Sequence, residues 1–169
     1  MKHNPQAITS AMQLYFSGES LRNTMKSLKL LGVEVSHQTV YNWIRKYVQL
    51  MGQYVEKIVP DVSDTWRADE LYVKIKGDMK YLFALMDDET RYWIAQEVAE
   101  SKYKLRDREK TMRGLKKNDT PILVGYQLFH NYIRGHEGLE GKTPAEACGI
   151  RVQGKNKWLT LIQNASKES

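Results

Sequence analysis

Residues 66–77, Trp-Arg-Ala-Asp-Glu-Leu-Tyr-Val-Lys-Ile-Lys-Gly, alternate regularly enough to dictate a β-strand, and they place an acid in its apolar row. Counted by twos, Asp69 shares a face with Leu71, Val73 and Ile75, while Glu70, Tyr72, Lys74 and Lys76 take the other. A carboxylate in line with an apolar stripe needs a cation, a metal or a set of hydrogen bonds to compensate it. Metal-dependent nuclease chemistry uses such a carboxylate, held rigidly on a strand. The alternative is that Asp69 lies at the frayed start of the strand and is solvated.

Two more strands follow, at about 80–87 and 91–98, with turns at Gly77-Asp78 and at Asp87-Asp88-Glu89-Thr90. Residues 66–98 are thus expected to form a three-stranded antiparallel meander. The consecutive acids Asp87, Asp88 and Glu89 read as a solvated hairpin turn and not as a metal site.

Residues 5–50 carry helical periodicity instead. Pro5 suits a first helical turn, and Ile8, Ala11, Met12, Tyr15 and Phe16 make an i, i+3, i+4 stripe. Ser20 is an N-cap for a second helix, with Leu21, Met25, Leu28 and Leu31 on its inner side and Gly32 at its end. Ser36 caps a third helix, with Val40, Trp43, Ile44 and Tyr47 facing inward. Its other side presents His37, Gln38, Thr39, Tyr41, Asn42, Arg45 and Lys46. Gln and Asn bond adenine edges, Arg bonds guanine, and hydroxyls and Lys hold phosphates, so this face suits DNA. A three-helix unit ending in such a helix resembles a helix-turn-helix, although Leu31–Val35 is longer than the tight turn of the simplest versions. The alternative is a solvated face on a small bundle.

Charge supports the same division. Residues 1–60 hold seven Lys/Arg against three Asp/Glu, residues 61–100 five against ten, and residues 101–169 fourteen against seven. Basic ends around an acidic middle suit a protein that grips phosphate at its ends and metal at its centre. Basic surface that merely confers solubility is the alternative. With 41% hydrophobic residues the chain can bury a core. It has neither a bilayer-length apolar run nor a signal-peptide pattern. One cysteine, Cys148, forms no disulfide pair or cysteine metal cluster, which fits an intracellular protein and a small buried side chain.

Residues 51–65 read as a linker. Beyond the meander, Lys102, Lys104, Arg106, Arg108, Lys110, Arg113, Lys116 and Lys117 form a dense basic run. A helix is expected over 121–133, burying Leu123, Val124, Leu128, Tyr132 and Ile133. Thr143-Pro144-Ala145-Glu146 is a capping box with proline at the first helical position. Residues 151–169 read as a tail, frayed from Asn164.

Several of these segments, in order, resemble insertion-sequence transposases of the DDE type, whose core is like that of retroviral integrases and ribonuclease H. The matches are Val40-Tyr41-Asn42-Trp43-Ile44; Trp66 to Glu70 with Val73 to Gly77; Asp88-Glu89-Thr90-Arg91; and Leu105 to Lys110. They continue through Phe129 to Arg134, His136, and Gly141-Lys142-Thr143-Pro144-Ala145-Glu146-Ala147. Gly135 stands where the pattern has proline. The implied fold is α+β: a helix-turn-helix-like unit at 1–50, then a truncated ribonuclease H-like core at 66–150.

The resemblance implies three carboxylates holding two Mg2+ or Mn2+ ions for strand transfer. Asp69 matches the first, as catalytic residue and metal ligand. The second and third are missing, because the chain passes from Lys104 to Leu105 where the family has several tens of residues. An internal deletion is inferred there, and Glu100 does not match the context of the third acid. The expected protein therefore binds double-stranded DNA at element ends without functionally holding the ions. His37, Gln38, Tyr41, Asn42, Arg45, Lys46, Arg106, Arg108 and Arg113 are the expected DNA contacts. The implied setting is a prokaryotic cytoplasm, associated with the nucleoid and not with membrane. A homodimer or an intact transposase is the implied protein partner. A non-enzymatic module that competes with or regulates an intact transposase is the alternative function, and an unrelated basic structural protein a third.

Overall fold

Polar caps and a proline set where the N-terminal helices begin. The computed structural model describes residues 4–75, 78–99 and 121–168. Helix α1, Pro5–Phe16, opens at a proline whose missing N–H is harmless in a first turn, and Asn4 accepts from the Gln6 amide at 2.9 Å. Ser20 Oγ accepts from the Asn23 amide at 3.2 Å to open α2, Leu21–Leu30. Ser36 Oγ accepts from the Thr39 amide at 3.1 Å to open α3, His37–Val55.

Between α2 and α3 the chain turns on Gly32, which is left-handed at φ +77°. The amides of Gly32 and Val33 donate to the carbonyls of Lys29 and Leu28, both at 3.0 Å. That pair of bonds satisfies carbonyls that a helix end otherwise leaves open. Leu31, expected inside, is exposed at this C-cap, and Thr24 is buried in the row with Leu28.

Helix α3 outruns the expected linker start at 51 and continues to Val55. The cause is tertiary packing. Met51 and Gly52 are buried, and a Cβ on Gly52 would lie 3.1 Å from Val124 Cγ1. Val124 belongs to α4, Pro121–Leu128, which runs into a π-helical turn at Phe129–Ile133. Leu128 and Tyr132 are buried as expected from the 121–133 periodicity, while Leu123, Val124 and Ile133 are half-buried.

After a 3-10 turn at Glu137–Leu139, the expected capping box opens the short α5, Pro144–Ala147. A Cβ at Gly135 would collide with the Gly141 carbonyl oxygen, so no larger residue fits this backbone. Residues 157–167, expected as tail, instead form α6, Lys157–Lys167, with Trp158, Leu161, Ile162 and Ala165 buried. Asn156 both caps α6, accepting from the Leu159 amide at 3.1 Å, and donates to Thr9 Oγ1 at 2.9 Å. Lys157 Nζ meets Glu146 Oε1 at 2.8 Å. Among the described residues, 4–60 and 121–168 form one compact unit, so the core around α3 is finished by α4 and α6.

The second unit holds the sheet. Strands β1, Trp66–Ile75, β2, Asp78–Asp87, and β3, Trp93–Ala99, form an antiparallel meander in the order β1-β2-β3. Among the described residues the fold is therefore α+β, with six α-helices and a three-stranded antiparallel sheet. None of those helices is long and apolar enough to cross a membrane.

Candidate nucleic-acid interface

The polar face of α3 is built by its own periodicity. Val40, Trp43, Ile44, Tyr47, Val48 and Met51 are buried, which turns the intervening positions outward. His37, Gln38, Asn42, Arg45 and Lys46 are exposed, and Tyr41 and Thr39 are half-buried at the border. Gln38, Asn42, Arg45 and Gln49 fall at i, i+4, i+7 and i+11, one row along the helix. Gln49 is outside the sequence-based set, although that spacing extends to it.

The row is organised before any ligand arrives. Gln38 Nε2 donates to Asn42 Oδ1 at 3.2 Å. The Arg45 guanidinium carbon lies 6.0 Å from the centroid of the Tyr41 ring, and Lys46 Nζ lies 5.6 Å from that of Tyr47. Such cation–ring contacts hold long basic side chains against the helix while leaving donors outward. The helix has no acid in its first turn, so its positive N-terminal end is unopposed by its own side chains. Arg106, Arg108 and Arg113, the other expected DNA contacts, lie outside the described residues, as does the junction at Lys104–Leu105.

Asp69 is on the first strand, as its alternation required, and pairs directly with Ala84 on β2. Ala84 is buried, so Asp69 does share the covered face by register. The side chain is nevertheless exposed, which agrees with the alternative that Asp69 is solvated near the start of the strand. Among the described residues β1 is an edge strand, with β2 on one side only. Asp69 Oδ1 accepts from the Glu70 amide at 2.8 Å, a local bond that needs no cation.

The buried acid is Asp87, in the turn expected to be solvated. Its carboxylate accepts from the amide and hydroxyl of Ser63, at 2.8 and 2.6 Å. It accepts likewise from the amide and hydroxyl of Thr90, at 2.7 and 2.5 Å. Burial alone pushes its pKa up, but these four donors overcome that and hold it at about 2. Asp88 is solvent-facing and paired with Arg67 at 2.6 Å. Asp87 and Asp88 are therefore engaged in holding the turn. Among the described residues no three His, Cys, Asp or Glu side chains converge on a point that could hold a metal ion. The described residues do not fit a two-ion site around Asp69.

Comparison with known proteins finds similarity over part of the chain. Over 87 residues, 51% of this chain, the sequence is 37% identical to the transposase for the insertion sequence-like element IS431mec of Staphylococcus aureus. The same figures hold for the transposase for insertion sequence element IS257 in transposon Tn4003 of Staphylococcus aureus. About half of this chain is thus similar to part of these insertion-sequence transposases. The matched stretch spans 39% of the length of each of those relatives. No protein-family model matches the chain, and no solved structure does.

Proposed function

We propose that this chain is a DNA-binding protein of transposase descent that has lost strand-transfer chemistry. In this reading α2, the Gly32 turn and α3 work as a helix-turn-helix, and α3 enters the major groove of an element-end duplex. The sheet is the remnant of a DDE-type, ribonuclease H-like core, shortened at the Lys104–Leu105 junction. Mg2+ or Mn2+ chemistry is lost because Asp69 stands without its two partner carboxylates, and one carboxylate cannot align two oxygens around two ions.

The observation that carries the reading is the exposed row Gln38, Asn42, Arg45 on a helix whose opposite side is buried. Amides, a guanidinium and an ammonium along one groove-sized helix face match the edges and phosphates of duplex DNA. The test is binding of the full chain to an element-end duplex at two salt concentrations, beside Arg45→Ala/Lys46→Ala. The double variant is expected to bind more weakly, with a salt slope shallower by about one unit for each phosphate left without its cation. Equal affinity at both salts would remove α3 as the reader.

One observation favours regulation of an intact transposase as the role. The compact unit that carries α3 is completed by α4 and α6, without the sheet residues. Such a unit occupies element ends whatever has happened to the catalytic core. Added to an intact transposase on a shared end duplex, the chain is expected to displace it.

A further inference from the structure

The outer edge of β1 is complementary to itself. Residues 64–69 are all exposed, and among the described residues only β2 pairs with β1. Two bonds fix which backbone groups face outward. The Thr65 carbonyl accepts from the Asp88 amide at 3.0 Å, so it points toward β2, and Arg67 and Asp69 follow it at the period of the strand. The Glu70 amide donates to Asp69 Oδ1 at 2.8 Å, so it points away from β2. Trp66, Ala68 and Glu70 therefore turn their N–H and C=O groups to the open edge. Arg67 and Asp69 flank Ala68 on one face of the sheet, with opposite charges.

We propose that β1 is a docking edge for a second copy of this chain, paired antiparallel about a two-fold axis through Ala68. In that register the two Ala68 residues exchange backbone hydrogen bonds, and Trp66 does so with Glu70 of the second copy. Arg67 then stands directly opposite Asp69 of the second copy, and Asp69 opposite its Arg67, at the closer non-hydrogen-bonded spacing. Charge decides between pairing and protection. Edges that avoid pairing carry like charges, lysines above all, which repel across any register. On this face Arg67 and Asp69 meet their opposites only in the register centred on Ala68. The Arg67 guanidinium already meets Asp88 through Nη2 at 2.6 Å, and it keeps other donors for a second carboxylate. The Glu70 amide exchanges its bond to Asp69 for a carbonyl of the second copy, which releases the Asp69 carboxylate to Arg67. Trp66, an exposed aromatic, gains a neighbour across the strands. This edge lies in the sheet unit, so the proposal does not depend on α3 reading DNA.

The test is sedimentation of the full chain across a concentration series, as wild type and with substitutions on β1. The substituted positions are exposed, so the changes leave the packing of the sheet intact. Wild type is expected to show a reversible monomer–dimer equilibrium. Arg67→Asp makes both flanking positions acidic and Asp69→Arg makes both basic, so each should weaken the dimer by on the order of ten-fold. Mixed together, these two variants should form a heterodimer tighter than either homodimer, because every pair across the axis is again opposite in charge. The double variant Arg67→Asp/Asp69→Arg should dimerise like wild type. Ala68→Pro removes an outward N–H, spares the bonds to β2 and should abolish the dimer. Wild type that stays monomeric at concentrations up to about 1 mM overturns the proposal. A dimer indifferent to Ala68→Pro, or single variants that form no heterodimer when mixed, would place any interface elsewhere and overturn it as well.

Discussion

The indole Nε1–H of Trp158 donates to Oε1 of Gln13 at 3.0 Å, joining side chains 145 residues apart in sequence. The same indole stacks on Phe16 and Phe129, with ring centroids 5.6 and 6.3 Å away. Helix α6 is in this way built into the first helix, and through the shared core it braces α3. Replacing Trp158 with Ala removes a buried aromatic from a packed cluster and is expected to cost about 3–5 kcal/mol. Thermal unfolding checks this. DNA affinity at 25 °C should fall with the folded fraction.

Gly125 is a second pressure point in that cluster. A Cβ there would collide with the Phe16 ring and lie 3.0 Å from Val48 Cγ2. Phe16 is hemmed in by Tyr126, Phe129 and Trp158 and has little room to yield. Gly125→Ala is expected to destabilise by about 1–3 kcal/mol through overpacking. Gly138→Ala, where nothing lies within 4 Å, is the control, and denaturant midpoints compare the two.

Asp87 makes the sheet sensitive to acid. Its folded value of about 2 lies below its ordinary 3.8, so its stabilisation is present above the ordinary value and is lost as pH falls toward 2. The contribution is on the order of 2 kcal/mol at neutral pH. Asp87→Asn would set an NH2 group against donors from Ser63 and Thr90. It should lower stability at pH 7 and flatten the pH dependence below pH ~4, as measured by urea unfolding across pH.

The proposed loss of chemistry is tested directly by incubating the purified chain with a labelled element-end duplex and Mn2+, beside Asp69→Ala. The expected result is the same background of intact duplex in both. Cleavage by wild type that vanishes in the variant would show an assembled metal site and would reverse the proposal.

Much of the architecture is legible in the sequence because it is set locally. Ser20, Ser36 and Thr143 mark helix starts by hydrogen bonds within three residues, and the inner row of α3 follows from period alone. What escapes depends on distant partners. Met51 continues the inner row of α3 by period, but Gly52, a poor helix former, is helical where α4 covers it, and no local pattern announces that partner. Trp158, Leu161, Ile162 and Ala165 do show helical spacing, yet their polar surroundings resemble a tail. Asp87 is hard to identify because three consecutive acids look solvated, while Ser63, which satisfies one of them, is 24 residues away. Asp69 has the expected register, but alternation left open whether its side chain is covered or solvated, because it identifies a face and not what lies over it.

The helical body is discontinuous: α1 to α3 and α4 to α6 meet across a stretch of chain that belongs to none of them. Joining two halves through a loop carries an entropic cost that grows only with the logarithm of loop length, about 0.6 kcal/mol for each doubling. Lengthening or shortening the stretch between residues 61 and 119 by tens of residues is therefore expected to change the stability of this body very little. The scaffold around the Gln38, Asn42 and Arg45 row is thermodynamically indifferent to the size of what is threaded through it. Selection can rewrite or erase the insert while the helical surface persists.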